Sequence, residues 1–341
     1  MASDTGASGT RKKRATIWEV ARLAGVSHQT VSRYLKGNGG MKPATKAKID
    51  QAVAELDYRP NLIARSMRTQ RSNRIAIVLP ELTNFVPIPM LRGASAAAHE
   101  AGYMTDVVGL EGDASRRAEG ALALLDTGQA EGLLSFTPLA DAADRSGEQT
   151  PIVVFGEYDD NMHAQGELAD GRPAAEIVRH LADLGHRRFL HVAGSQDWAS
   201  ARNRRKVYAD TVEALGLESY GIVHGDWSVR SGYEAARELP ADSGVTAVFA
   251  ANDYVAMGVI RGFQDRGVRV PEEMSVFGWD NEQFTQYFRP TMSTVNYDRE
   301  ALGRQAMLSL LARVRGEEQP PGQLGKLFDL VPRGSSGPAP H

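Results

Sequence analysis

Residues Ile17–Arg33 read I-W-E-V-A-R-L-A-G-V-S-H-Q-T-V-S-R, and this stretch carries the clearest structural signal in the N-terminal part of the chain. Thr16 and Glu19 have the spacing of a capping box, which predicts the start of a helix. Apolar residues then recur at helical spacing as far as Gly25, where a turn is expected. Ser27 can cap a second helix immediately after that turn. The pattern therefore predicts a helix-turn-helix.

A third helix is expected from about Ala44 to Leu56, because apolar residues recur there every three or four positions. Lys42-Pro43 precedes it, and proline is well tolerated in the first turn of a helix. The three helices together predict a small head over residues 15–60. Residues 1–14 are polar, small and basic, which predicts a disordered arm.

Residues 61–72 are predicted to form a hinge helix and a linker. Asn61 can cap a short helix that contains Arg65, Arg68 and Arg71 but few side chains to bury. Such a helix is marginal by itself, so we expect it to fold only against a partner.

The charge of the chain is distributed unevenly. Residues 1–74 hold 15 Lys and Arg against 5 Asp and Glu, whereas the remainder holds 24 against 37. A basic head on an acidic body predicts that the head alone meets a polyanion such as DNA. The alternative is a basic arm attached to an ordinary domain.

The second helix of the motif presents polar side chains that suit the major groove of DNA, which admits an α-helix. His28 and Gln29 lie in its first turn and are the predicted base readers. Gln29 favours adenine, and Arg33 can take a guanine edge or a phosphate. The predicted DNA contacts in this region are Thr16, Ser27, His28, Gln29, Thr30, Ser32 and Arg33. The alternative is an amphipathic pair of helices that binds another protein.

From residue 73 onward, short buried strands alternate with helices, which is typical of a parallel α/β architecture. Eight or more strands are more than one sheet of this kind usually contains, so we expect two doubly wound subdomains with a cleft between them. The predicted strands are Ile75–Leu79, Met104–Val108, Gly132–Phe136, Ile152–Phe155, Phe189–Val192, Gly221–Val223, Ala247–Ala250 and Ser275–Gly278.

Several functional classes are disfavoured by the sequence. There is no G-x-G-x-x-G after a strand, no phosphate-binding G-x-x-x-x-G-K-[ST] and no G-x-S-x-G, so an enzyme is not expected. The chain has no cysteine. His186 and His191 lack further ligands, so neither a metal nor another cofactor is predicted. The sequence shows no membrane span and no signal peptide, which predicts a cytoplasmic protein.

The head resembles that of the lactose- and galactose-repressor family, whose recognition helix often reads S-x-x-T-V-S-R, as Ser27–Arg33 do here. Tyr58-Arg59-Pro60-Asn61 and the residues after it are similar to that family's hinge helix, which pairs with a second copy in the minor groove. The resemblance implies that Asn61 and Ala64 contact DNA or the partner hinge. It also implies that Met67 takes the place of a leucine that opens the central base step.

The resemblance extends to about Pro332. It implies a periplasmic-binding-protein-like, two-lobed domain over residues 73–333, with Arg202, Asn252 and Asp280 holding an effector and Trp227 forming an apolar wall against a sugar ring. Phe85 and Val86 are expected in the opposite lobe, and Phe136, Gly156 and Glu157 are weaker candidates. The alternatives are that Asp280 caps a helix, that Trp227 lies in the core, and that Arg202 pairs with a surface carboxylate.

Taken together, the sequence predicts a homodimeric repressor of carbohydrate-utilisation genes that a mono- or oligosaccharide releases from a palindromic operator. The alternatives are a regulator activated by a non-sugar corepressor and a sugar-binding protein without regulatory DNA binding. The expected boundaries are an N-terminal subdomain over about 73–165 and 291–325, a C-terminal subdomain over about 166–290 and 326–333, and a flexible tail over 334–341.

Overall fold

The computed structural model describes residues 15–35, 41–58, 71–80, 87–140, 150–319 and 326–340. The chain divides into two compact units, Met1–Ser72 and Asn73–His341. No helix in these ranges has both the length and the apolar character needed to cross a membrane.

The first unit contains three helices, α1 (Ile17–Ala24), α2 (His28–Leu35) and α3 (Pro43–Glu55). Helix α1 ends at Gly25, whose φ of 65° is left-handed and is therefore suited to glycine. The small core of this unit consists of buried apolar side chains from all three helices, namely Val20, Ala21, Ala24, Val31, Ile49 and Ala52. The predicted three-helix head is confirmed.

The second unit contains two parallel sheets of four strands each. The first sheet has the order β2-β1-β3-β4. Its strands are β1 (Arg74–Leu79), β2 (Met104–Gly109), β3 (Gly132–Ser135) and β4 (Ile152–Val154). The helices that connect them are α4 (Ile88–Glu100) and α5 (Ala114–Asp126).

The second sheet repeats this arrangement with the order β6-β5-β7-β8. Its strands are β5 (Arg188–Ala193), β6 (Glu218–His224), β7 (Ala247–Ala250) and β8 (Ser275–Phe277). Its helices are α6 (Arg172–Asp183), α7 (Ala199–Ala214), α8 (Val229–Glu238) and α9 (Asp253–Gln264). Each parallel pair needs a helical crossover, which is why strands and helices alternate along the chain.

An antiparallel pair of strands, β9 (Thr294–Tyr297) and β10 (Phe328–Val331), follows the second sheet. Between them, helix α10 (Arg299–Arg315) returns to the first sheet and packs along α4. The α/β class with two doubly wound sheets is confirmed, because this chain order places one lobe around each sheet.

The predicted flexible tail over 334–341 differs from the structure, in which residues 332–340 dock onto the second sheet. Ser335 is completely buried. Its hydroxyl donates to the carbonyl of Val276 (2.7 Å), and its own carbonyl accepts from the amide of Val276 (2.7 Å). The prediction relied on the small and polar composition of this segment, which does not reveal long-range backbone hydrogen bonds.

Candidate functional site

The start of α1 is the capping box that the sequence predicts. The Thr16 hydroxyl accepts from the amide of Glu19 (3.3 Å), and the Glu19 carboxylate accepts from the amide of Thr16 (2.6 Å). The Thr16 hydroxyl also donates to this carboxylate (2.9 Å). Thr16 therefore fixes where α1 begins.

Helix α2 presents the predicted DNA-reading side chains on one surface. Gln29 and Arg33 are exposed, whereas Thr30 and Ser32 are half-buried. Ser27 caps the helix, because its hydroxyl accepts from the amide of Thr30 (3.2 Å). Gln29 and Arg33 can therefore reach a base edge without breaking the head's own contacts.

Trp18 is a candidate DNA contact that the sequence reasoning missed. Its side chain is 64% exposed although it is large and apolar. Its ring stacks on that of His28, with the centroids 4.2 Å apart and the planes 27° apart. The stack holds His28 at the start of the reading helix. The signal in the sequence that could have identified Trp18 is a tryptophan on the polar side of an amphipathic helix.

The predicted hinge contacts Asn61, Ala64 and Met67 lie outside the described residues, as do Phe85 and Val86 of the predicted effector site. Their assignments stay predictions.

Asp280, in the second unit, lies at the carboxyl end of β8, in a turn where both Asp280 (φ 110°) and Asn281 (φ 54°) have left-handed backbone angles. Such strain persists only where surrounding contacts hold it. One carboxylate oxygen of Asp280 accepts from Nη2 of Arg299 (2.6 Å). Because Arg299 begins α10, which packs on the first lobe, this ion pair joins the two lobes.

Arg299 is a second residue that the sequence reasoning missed. Burial disfavours its charge, but the carboxylate of Asp280 keeps the pKa of Arg299 above its usual value. The pair presents acceptor and donor atoms side by side, which suits hydroxyl groups that both donate and accept.

Trp227 lies beyond the carboxyl end of β6, in the same lobe as Asp280. Its ring lies against the backbone of Gly194, where an added Cβ would come within 2.4 Å of the indole. Asn252 supports the same segment, because its amide nitrogen donates to the carbonyl of Trp227 (3.3 Å). The amide oxygen of Asn252 accepts from Val255 at the start of α9 (2.8 Å). Both ends of the Asn252 side chain are thus engaged within the protein.

Arg204, and not the predicted Arg202, lies beside Trp227 and Trp279, and these three residues form one cluster. Arg202 is exposed and donates to the carbonyls of Gln196 and Asp197 (both 2.7 Å). Arg204 is buried, with its guanidinium carbon 4.0 Å from the ring centre of Trp279 and 5.5 Å from that of Trp227. Burial lowers the pKa of Arg204 to about 10.

Two donors in this cluster lack an acceptor. Nε of Arg204 and Nε1 of Trp227 are buried and have no hydrogen-bond partner among the described residues. An unpaired buried donor is costly, which is a reason to expect that water or a ligand reaches this region.

Asp253 lies beneath the site, completely buried at the start of α9. Its carboxylate accepts from the Thr294 hydroxyl (2.7 Å) and from the amide of Glu282 (2.8 Å). Burial raises the pKa of Asp253 to about 7. Asp253 therefore ties the end of β8 to the crossing strand β9.

The weaker candidates for the effector site lie in the first lobe and in the chain that leaves it. Phe136 is buried and packs edge-to-face on Phe155 (5.7 Å). The Glu157 carboxylate accepts from the amide of Leu168 (2.9 Å), and burial raises its pKa. A Cβ added at Gly156 would meet no atom within 4 Å. The described ranges contain no group of three His, Asp or Glu side chains that could hold a metal.

Comparisons with known proteins match both units. Residues 16–61 match the sequence profile of the bacterial regulatory proteins of the lacI family, and residues 178–336 match that of the periplasmic binding protein-like domain. The HTH-type transcriptional regulator CelR of Thermobifida fusca is 32% identical over 335 residues, which cover 92% of this chain and 96% of CelR.

Two solved structures are similar to nearly the whole of this chain. The lac repressor dimer bound to operator and the anti-inducer ONPF has a TM-score of 0.68 and 25% identity, covering 95% of this chain and 100% of that chain. The CelR–cellobiose complex has a TM-score of 0.58 and 30% identity, covering 94% and 100%.

Proposed function

The chain belongs to the LacI family of bacterial regulatory proteins, and on this premise we propose that it represses carbohydrate-utilisation genes until a sugar effector releases it from its operator. One observation carries the proposal. A helix-turn-helix head precedes an α/β unit in which the Asp280–Arg299 ion pair and Trp227 both lie beyond the carboxyl ends of strands of the second sheet. Open α/β sheets bind ligands at the carboxyl ends of their strands.

The DNA-binding role is supported by the reading surface of α2. Its exposed Gln29 and Arg33 and the stacked His28 are side chains that can read base edges. The basic composition of residues 1–74 supplies the phosphate attraction, which predicts binding that weakens steeply as salt rises.

Replacing Gln29 with alanine is expected to cost about 1–3 kcal/mol of discrimination at one operator position. The side-chain amide of Gln29 can pair with an adenine edge. Alanine cannot form these hydrogen bonds, so it does not distinguish between the bases at that position. Competition gel shifts against operators with single base changes measure this. Gln51→Ala, an equally exposed substitution on α3, is the control and should leave the preference unchanged. An unaltered base preference in Gln29→Ala would remove Gln29 from the reading surface.

The effector role is supported by the cleft chemistry. An indole wall fits the apolar face of a sugar ring, and the acceptor and donor atoms of Asp280 and Arg299 fit its hydroxyls. The relative CelR has been solved in complex with cellobiose, which makes a neutral disaccharide the first effector to test. The relatives are transcriptional regulators. We therefore propose that this site binds its effector without catalysing a reaction, and that the protein is cytoplasmic.

The proposal includes a homodimer. Edge strand β2 exposes large apolar side chains, with Met104 57% and Val107 45% exposed. Such residues on an unpaired sheet edge favour association. The structurally similar lac repressor was solved as a dimer.

Replacing Met104 with aspartate is expected to weaken self-association at least about tenfold, because a charge would be buried without a partner. Analytical ultracentrifugation across protein concentrations measures this. Leu215→Asp, at an exposed apolar position after α7, is the control. Equal self-association of the two variants would show that the dimer contact does not include Met104 of β2.

Release is proposed to pass through residues 61–68. Effector hydroxyls bound to both Asp280 and Arg299 would replace part of their direct contact and shift the two lobes relative to each other, because these residues belong to different lobes. In a dimer this motion would separate the paired hinge segments and withdraw Asn61, Ala64 and Met67 from the minor groove. The mechanism is an order–disorder coupling, with about 1–3 kcal/mol between the two sites.

A gel shift with the palindromic DNA next to the chain's own gene tests the function, with and without neutral sugars. Specific binding that a sugar reverses is expected. Binding that requires the small molecule would favour the corepressor alternative. Sugar binding without any specific shift would leave a sugar-binding protein and refute the repressor.

A further inference from the structure

The docked C-terminal segment, residues 332–340, runs beside the turn that carries Asp280. It is anchored on the second sheet by the two hydrogen bonds described above, which join the hydroxyl and the carbonyl of Ser335 to the backbone of Val276. The amide of Gly337 donates to the Ser275 hydroxyl (3.0 Å), and the amide of Ala339 donates to the carbonyl of Leu184 (2.9 Å). The segment is therefore a fixed part of the second lobe.

Arg333, at the start of this segment, reaches three separate elements with one guanidinium. Nη2 donates to the side-chain oxygen of Asn281 (2.7 Å). Nη1 donates to the Thr285 hydroxyl and to the carbonyl of Met292 (both 2.9 Å). The backbone amide of Arg333 donates to the Ser293 hydroxyl (2.7 Å). The planar fork thus joins the turn, the short 3-10 helix Gln283–Gln286 and the chain entering β9.

The turn needs such an anchor because of its backbone. Asp280 and Asn281 are consecutive residues with left-handed φ values, and neither is glycine. Residues in this region persist where contacts over-determine them. Asn281 has two further contacts, from its amide to the Thr294 hydroxyl (3.2 Å) and from its side-chain nitrogen to Asn296 (3.0 Å). Arg333 supplies the contact to the side-chain oxygen of Asn281.

We propose that Arg333 is a positioning residue of the effector site, which holds the strained Asp280–Asn281 turn through Asn281 and so aims the Asp280 carboxylate at the effector. The inference rests on the proposed function in taking Asp280 as an effector contact. Arg333 itself touches neither Asp280 nor the proposed ligand. Its effect is transmitted through one hydrogen bond to the neighbouring residue.

The fork geometry explains why arginine is needed here. A lysine keeps the charge but offers a single nitrogen, which cannot reach Asn281, Thr285 and Met292 in one plane. Arg333→Lys is therefore expected to loosen the turn while it preserves the charge of the lobe.

The test uses the full-length protein and measures three properties of Arg333→Lys. Cellobiose affinity by calorimetry is expected to fall about tenfold. Operator affinity without sugar is expected to change less than about twofold, because the head is untouched. Amide exchange at Asp280 and Glu282, whose amides are hydrogen-bonded to Val295 and Asp253, is expected to accelerate. Arg313→Lys is the matched control, since Arg313 donates to a backbone carbonyl, that of Ile152, in the first lobe.

A second variant separates positioning from general stability. Asn281→Gly removes the acceptor of Arg333 and tolerates the left-handed φ. It should weaken cellobiose binding in the same direction, and the double variant should be no weaker than the worse single variant. Additive losses, or a loss of operator binding in parallel, would overturn the proposal.

Failure of this inference is distinguishable from failure of the proposed function. If the unaltered protein binds no neutral sugar, the sugar effector is refuted, and amide exchange then decides the role of Arg333. Faster exchange confined to the turn in Arg333→Lys supports the positioning role. Exchange equal to that of the unaltered protein and of Arg313→Lys overturns it.

Discussion

Replacing Asp280 with alanine is expected to abolish the response to effector while operator binding stays intact. In the proposed effector site this carboxylate accepts from the effector's hydroxyl groups, and a hydrogen bond to a charged group contributes about 1.5–3 kcal/mol. Its removal also leaves Arg299, which is half-buried, without its ion-pair partner. We expect effector affinity to fall at least about a hundredfold, because both losses act at the same site.

Calorimetry for the effector and gel shifts for the operator measure the two halves of this prediction. Asp265→Ala is the matched control, because Asp265 lies in the same lobe and accepts from Tyr233 (3.1 Å) away from the cleft. Asp280→Asn keeps the side-chain shape and should lose less affinity than Asp280→Ala. Unchanged effector affinity in Asp280→Ala would refute the assignment of Asp280 as an effector contact.

Replacing Gly303 with alanine is expected to destabilise the second unit by about 2–3 kcal/mol. Helices α4 and α10 touch backbone to backbone, and a Cβ on Gly303 would lie 2.0 Å from the carbonyl oxygen of Met90. Gly93 meets the carbonyl of Glu300 in the same way, at 1.9 Å. Backbone atoms cannot move aside like a flexible side chain, so the helices must separate. This cost exceeds the roughly 1 kcal/mol that alanine gains over glycine within a helix.

Urea unfolding followed by tryptophan fluorescence measures the stability of the second unit, since Trp198, Trp227 and Trp279 all lie in it. Gly221→Ala is the control, because an added Cβ at Gly221 meets no atom within 4 Å. A Gly303→Ala variant as stable as this control would mean that α4 and α10 can separate without cost. Because Arg299 begins α10, the displaced helix should also weaken effector binding.

The local patterns of the sequence were sufficient for the helix-turn-helix and for the eight strands of the two parallel sheets, but not for β9 and β10. The capping box at Thr16, the turn at Gly25 and the spacing of apolar residues each involve neighbours within a few positions. Each of the eight predicted strands overlaps a strand of the two parallel sheets. Helix capping and buried strands leave their signature along the chain itself, because the interacting groups are close in sequence.

The arrangement of the site was decided by contacts that are distant in sequence. Arg299 pairs with Asp280 only because α10 returns to the first lobe, and Arg333 reaches Asn281 only because the C-terminal segment docks beside β8. The sequence identified an arginine near the start of α7, but tertiary packing determined that Arg204 is buried between two tryptophans while Arg202 stays exposed.

The head, the α/β class and the position of Asp280 at a strand end could thus be predicted from local sequence. Which arginines lie near Asp280, and the docking of a tail whose composition predicts flexibility, depended on tertiary packing. The physical reason is that secondary structure follows from local backbone preferences and apolar periodicity. The Asp280–Arg299 ion pair and the hydrogen-bonded fork of Arg333 instead depend on where remote segments meet, which a residue's neighbours in sequence do not specify.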